Sequence, residues 1–171
     1  MAHTETFIRG ETVYQGPDFS LRHDVVRLED GRESRREIIQ KPDKALVLLL
    51  HGGACRVERL WRSAIGRESL ELPAAAVAPG EAPARAAQRL LARWGLGEVA
   101  LRSLGAVLPS PGILQARTYV FFGTTAQPCA GEAMAVEALL RLLDTGAIAD
   151  MNTAAALGLA RLQGMLGEVP A

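Results

Sequence analysis

The residues of this 171-residue chain whose types and spacing could do chemistry are concentrated in positions 71–97, ELPAAAVAPGEAPARAAQRLLARWGLG. Glu71 and Glu81 are carboxylates of the kind that hold a hard divalent cation, but two or three are needed to keep Mg²⁺ outside a substrate complex. No acidic residue lies between 82 and 94, so a carboxylate set on one helix face is not available there. Arg85, Arg89 and Arg93 recur at i, i+4 and i+8 and share a face. That stripe is either a solvated basic face or one partly turned toward a site. Glu81 also has a structural role open to it, since negative charge is favourable near a helix N-terminus.

Other chemistries find little support. Cys55 and Cys129 stand apart, without CxxC spacing or a histidine cluster, so reduced thiols are expected rather than a tetrahedral metal site. His51 precedes Gly52-Gly53 and is read as a turn histidine, not a ligand. With 19 Lys+Arg against 19 Asp+Glu the formal net charge is zero, so no global field steers the chain to nucleic acid or an anionic membrane. Any anion site must be local. The opening MAHTETFIRGE has no apolar core for a signal peptide, and ALVLLL (45–50) is too short to span a bilayer. A soluble, cytoplasmic protein without nucleic-acid or membrane partners is the expectation.

These residues need elements to position them. The first third reads as β: ETVYQG (11–16), FSLRHDVVRLE (19–29) and SRREIIQ (34–40), with Asp30-Gly31 favouring a hairpin. ALVLLL is continuously apolar and predicts a strand buried on both faces, turning at His51-Gly52-Gly53 into a strand over 54–62. A loop is expected over 71–81, then a helix of about a dozen residues with Pro83 in its first turn, ended by Gly95 and Gly97. Strands follow near 99–109 and 116–123, and helices near 132–144 and 150–166, the last with Asp150 as N-cap. The length suits one domain, 1–171, with an N-terminal strand region (1–43) and a core (44–171).

Residues 71–97 resemble a Nudix box, whose pattern is Gly, five residues, Glu, seven residues, then Arg-Glu-hydrophobic-x-Glu-Glu-x-Gly-hydrophobic. Ala75 stands at the glycine, Glu81 follows at the required spacing, and Arg89 falls at the arginine. Beyond Arg89 the pattern decays. Leu90 replaces the first glutamate, Arg93 and Trp94 replace the pair, and Gly95 arrives one residue early. Around the box, ERLWR (58–62), ELPA (71–74), LPSPGILQA (108–116) and GAIADMNTAAAL (146–157) are similar, in order, to landmarks of ADP-ribose pyrophosphatases. Gln115 and Ala116 occupy the places where relatives carry an acidic pair after the Ser-Pro-Gly loop.

The resemblance implies a Nudix α/β/α sandwich: a mixed sheet, N-terminal antiparallel strands and C-terminal helices. It also implies arginines that approach a diphosphate. Arg36 and Arg62 match such positions, Arg89 is expected to point inward, and Arg93 occupies a former metal-ligand position, so these four are the ligand-binding candidates. Trp61, in place of the family's Tyr or Phe, is read as core packing rather than a stacking platform. The expectation is a degenerate, pseudoenzyme-like member that binds a nucleotide-derived or other small anionic ligand without a metal cofactor, or that has been turned to metal-free chemistry. The alternative is an active diphosphatase that recruits Glu71, Glu81 or Glu68 for Mg²⁺ or Mn²⁺. Relatives commonly pair as homodimers, and the same is expected here.

Overall fold

In a computed structural model, the structure describes residues 4–166. The elements in chain order are β1 (Thr6–Gln15), β2 (Ser20–Arg27), β3 (Glu33–Gln40), β4 (Lys44–His51), β5 (Ala54–Arg56), β6 (Glu58–Arg62), β7 (Arg67–Glu71), β8 (Ala74–Ala76) and α1 (Pro83–Ala92). They continue with β9 (Leu101–Val107), β10 (Leu114–Gln115), β11 (Thr118–Thr124), β12 (Ala133–Ala135), α2 (Val136–Asp144) and α3 (Met151–Leu162). Contacts divide the chain into two units. The first comprises the residues up to Pro42 with Leu108–Arg117, and the second comprises Asp43–Val107 with the residues from Thr118 onward.

The first unit is a sheet of order β1-β2-β3-β10, antiparallel through β3, with β10 added in parallel. Its β2–β3 turn uses Gly31 at φ 84°, a conformation that costs glycine little. Asp24 is buried on β2, and Arg22 grips it through two hydrogen bonds of 2.7 and 2.8 Å.

The second unit is an α/β/α sandwich around a mixed sheet of order β12-β5-β4-β11-β9, with β8 paired to β4. The apolar run on β4 explains the layering. Ala45, Val47 and Leu49 pack with Ala86, Ala87, Leu90 and Leu91 of α1. Leu46 and Leu48, on the opposite face by strand alternation, pack with Leu139 of α2 and Ala156, Leu157 and Ala160 of α3. Residues 45–49 are at most 2 % exposed, as a strand covered on both faces requires.

Helix α1 begins at Pro83 without a side-chain cap and ends at Arg93, with Gly95 at φ 76° just beyond it. His51 lies at the end of β4, where its Nδ1 is 3.0 Å from the Thr125 carbonyl oxygen, and Gly52 and Gly53 carry positive φ in the turn.

Several expectations need correction. The stretch 71–81 is not all loop: β7 runs through Glu71, and Ala74–Ala76 forms β8, because small alanines let the backbone lie against β4. The single strand expected over 54–62 breaks at fully buried Val57, and β6 leaves the main sheet to form a two-stranded hairpin with β7. The helix expected from 132 begins at Val136, since Ala133–Ala135 pairs with β5. Trp61 is 65 % exposed rather than in the core, because it lies on that hairpin, outside the main sheet.

Candidate functional site

The second unit carries a cleft of about 100 Å³ whose polar lining comprises Lys44, Glu58, Arg62, Glu71, Thr118, Asp150 and Asn152. Strand parity places part of this set: Glu58, Leu60 and Arg62 alternate along β6 and face the cleft together. A second depression shares Lys44, Arg62, Glu71 and Asp150 and extends toward Ile65 and Met151.

Arg62 reaches back along the hairpin and clasps Glu71 with both Nε, at 2.7 Å, and Nη2, at 2.5 Å. Burial pushes the Glu71 carboxyl up, but hydrogen bonds from Arg62 and Ser69 and the nearby Lys44 outweigh it, and the net direction is down. Glu71 is thus a carboxylate already committed to a cation.

Its backbone is fixed from behind. The Leu72 N–H donates to Thr153 Oγ1 at 2.8 Å, and that hydroxyl donates to Asp150 Oδ2 at 2.7 Å. Asp150 also accepts from the Thr153 N–H at 2.8 Å, capping α3. A single aspartate therefore starts a helix, anchors the segment after Glu71 and lines the cleft.

Glu81 is committed in the same way. The Arg89 Nε and Nη2 donate to it at 3.1 and 2.9 Å, the Ala78 N–H donates at 2.8 Å, and Arg89 Nη2 also reaches the Ala76 carbonyl oxygen at 2.8 Å. The hydrogen bond from Arg89, followed by that from Ala78, holds the Glu81 carboxyl below its usual range. Arg89 turns onto the loop rather than into the interior, and its side chain is nearly half exposed.

The remaining candidates stand elsewhere. Arg36 lies in the first unit, where Glu5 holds its guanidinium and Nη1 donates to Ser34 Oγ at 2.7 Å. Arg93 is exposed at the C-cap of α1, where its backbone N–H donates to the Leu91 carbonyl oxygen. Arg36, Arg89 and Arg93 do not line the cleft; Ala76, the carbonyl partner of Arg89, does.

A matched part of the chain resembles a curated relative, the ADP-ribose pyrophosphatase of Bacillus subtilis (strain 168), at 29% identity over 119 residues. That match covers 68% of this chain and 64% of the relative's length. A solved structure described as an ADP compounds hydrolase superposes with a TM-score of 0.79 at 17% identity, over 94% of each chain. Over the matched stretch the chain is similar to an ADP-ribose pyrophosphatase, and it has the Nudix fold. No family model matches it.

The Nudix fold implies a divalent metal held by box carboxylates, and this chain has other side chains at three of those positions. Leu90, at the first glutamate position, is 6 % exposed in the apolar layer beneath α1. Arg93 brings a cation, and the Trp94 ring is covered by the Arg56 guanidinium at 5.2 Å. Among the described residues no three His, Cys, Asp or Glu side chains converge as a metal site would need.

Of the residues lining the cleft, the sequence singles out Arg62 and Glu71 as site candidates and Asp150 only as a helix cap, and it does not single out Lys44, Glu58 or Asn152. The alternation Glu58, Leu60, Arg62 was a readable signal for Glu58. Lys44 and Asn152 had none, since each owes its place to an element start that pattern reading does not orient.

Proposed function

We propose that this Nudix-fold chain binds a small, nucleotide-derived anionic ligand in the Lys44–Arg62 cleft and does not carry out Mg²⁺-dependent hydrolysis. The observation that carries this reading is the commitment of both surviving box-region carboxylates to arginines, Glu71 to Arg62 and Glu81 to Arg89, while positions 90, 93 and 94 hold Leu, Arg and Trp. A divalent ion would have to break those pairs to reach either carboxylate. It would then find one ligand at each place instead of the several it needs.

The lining suits a ligand with both anionic and hydroxyl groups. Lys44 and Arg62 offer cations to phosphate oxygens, and Glu58 and Asp150 offer acceptors to sugar hydroxyls. Asn152 lines the same cleft, and its buried Oδ1 has no hydrogen-bond partner among the described residues. The named substrates of the similar proteins, ADP-ribose and ADP compounds, belong to this chemical class. Of the four candidate arginines, Arg62 is the one that lines this cleft. A homodimer remains part of the proposal and is readable by light scattering.

Calorimetric titration of ADP-ribose in EDTA tests the reading. Binding without metal is expected, weakened by Arg62→Ala by about 1.5–3 kcal/mol, the scale of a hydrogen bond to a charged group. Binding that appears only with Mg²⁺ would favour the alternative, an active hydrolase that recruits Glu71, Glu81 or Glu68 for the metal.

A further inference from the structure

The Lys44–Arg62 cleft by itself holds only part of a nucleotide-derived ligand. At about 100 Å³ it takes a phosphate or part of a sugar, whereas sites that enclose a whole small molecule run from roughly 300 Å³ upward. The adjoining depression offers about 360 Å³ and shares Lys44, Arg62, Glu71 and Asp150 with the cleft. What it adds is mainly apolar: Ala64, Ile65, Ala149 and Met151, with Ser69 the one new polar side chain.

Ile65 and Met151 are 53 % and 49 % exposed. A single apolar side chain in water is ordinary, but these two come from different elements and border one depression beside two cations. Each stands on a fixed backbone. Ile65 lies in the β6–β7 turn, where its N–H donates to the Arg62 carbonyl oxygen at 3.0 Å and the next residue, Gly66, takes φ 61°. Such turns ordinarily carry polar residues. Met151 is the first residue of α3, directly after its Asp150 cap. Apolar side chains anchored in this way cost a ligand little ordering of the protein, and methionine adapts its shape to what it meets.

We infer that Ile65 and Met151 form the seat of a nucleobase: the ligand's phosphate lies at Lys44 and Arg62, where the two cavities meet, and its base extends over the β6–β7 turn and the start of α3. A base has apolar faces, which suit these two side chains, and polar edges, which stay in water over half-exposed walls. An alkyl chain would gain less, because the remaining walls are charged. The inference rests on the proposed binding of a nucleotide-derived ligand in the cleft.

Calorimetry in EDTA tests it, with ADP-ribose and with inorganic pyrophosphate, which has no base, on the unmodified protein, Ile65→Ser and Met151→Ser. Each substitution should weaken ADP-ribose roughly fivefold or more, the scale of one or two apolar carbons left in water, and should change pyrophosphate by less than about twofold. Unchanged ADP-ribose affinity in either variant, or equal weakening of both probes, overturns the seat. Tighter binding of octyl phosphate than of ADP-ribose by the unmodified protein would assign the surface to an alkyl chain and overturn it as well. If the unmodified protein binds no ADP-ribose, the ligand reading beneath is refuted and the inference falls with it. Saturation-transfer NMR gives a second readout: irradiating the protein methyl groups should mark the adenine ring protons of bound ADP-ribose more strongly than its ribose protons, and the reverse order overturns the placement.

Discussion

Replacing Thr153 by valine keeps the shape of a fully buried side chain and removes one hydroxyl that serves two partners. The Leu72 N–H would lose its acceptor in a residue only 3 % exposed, a loss of about 1–3 kcal/mol for a buried donor left unpaired. Asp150 would lose one of two donors but keep the Thr153 N–H, so the further loss stays near the lower end of about 1.5–3 kcal/mol for a hydrogen bond to a charged group. The sum is about 2.5–4.5 kcal/mol. At about 2–4 °C per kcal/mol for a chain of this size, the midpoint of thermal unfolding should fall by roughly 5–18 °C. Thr153→Ser keeps the hydroxyl and removes one methyl, at a cost of about 1 kcal/mol. Urea unfolding followed by circular dichroism measures all three proteins. A valine variant within about 0.5 kcal/mol of the unmodified protein, or a serine variant less stable than the valine one, would show that the Leu72–Thr153–Asp150 chain does not hold the Glu71 segment.

Glu71 has a folded-state pKa below its ordinary value. Its stabilisation is therefore present above the unfolded pKa of about 4.3 and is lost as pH falls through the folded value. Glu71→Gln should accordingly show a shallower loss of stability on acidification below about pH 4 than the unmodified protein, and identical acid profiles would contradict the Arg62–Glu71 pairing. Gly131→Ala should destabilise by more than about 1 kcal/mol, because a side chain at φ 107° is strained and its β-carbon would strike Arg56. Denaturation at neutral pH reads that effect, and a neutral outcome would move the 131 backbone away from the guanidinium.

Much of the second unit was legible because its signals are local. Continuous burial on β4, Pro83 and Gly95 around α1, and Asp150 before α3 each declare an element from a few residues. The hairpin β6–β7 was not legible in this way. ACRVERLWR reads as one amphipathic run, and only the docking of Val57 shows where it leaves the main sheet. That departure exposes Trp61, which composition alone would place in a core. At the site, Arg62 and Glu71 could be named from sequence, but their mutual pairing could not. Residue type says that each suits phosphate or metal, whereas tertiary geometry decides that they neutralise one another. The packing of Arg56 was invisible for a related reason: a lone arginine on a short strand carries no pattern, and its neighbours Trp94 and Gly131 are distant in sequence.

Hydrolysis of ADP-ribose by the purified, unmodified protein, compared in Mg²⁺, Mn²⁺ and EDTA, bears most directly on the proposed loss of metal chemistry. A bound metal both neutralises the diphosphate and activates water, so its absence removes many orders of magnitude of rate. No metal-dependent turnover is predicted, while robust turnover in Mg²⁺ or Mn²⁺ that EDTA abolishes would contradict it.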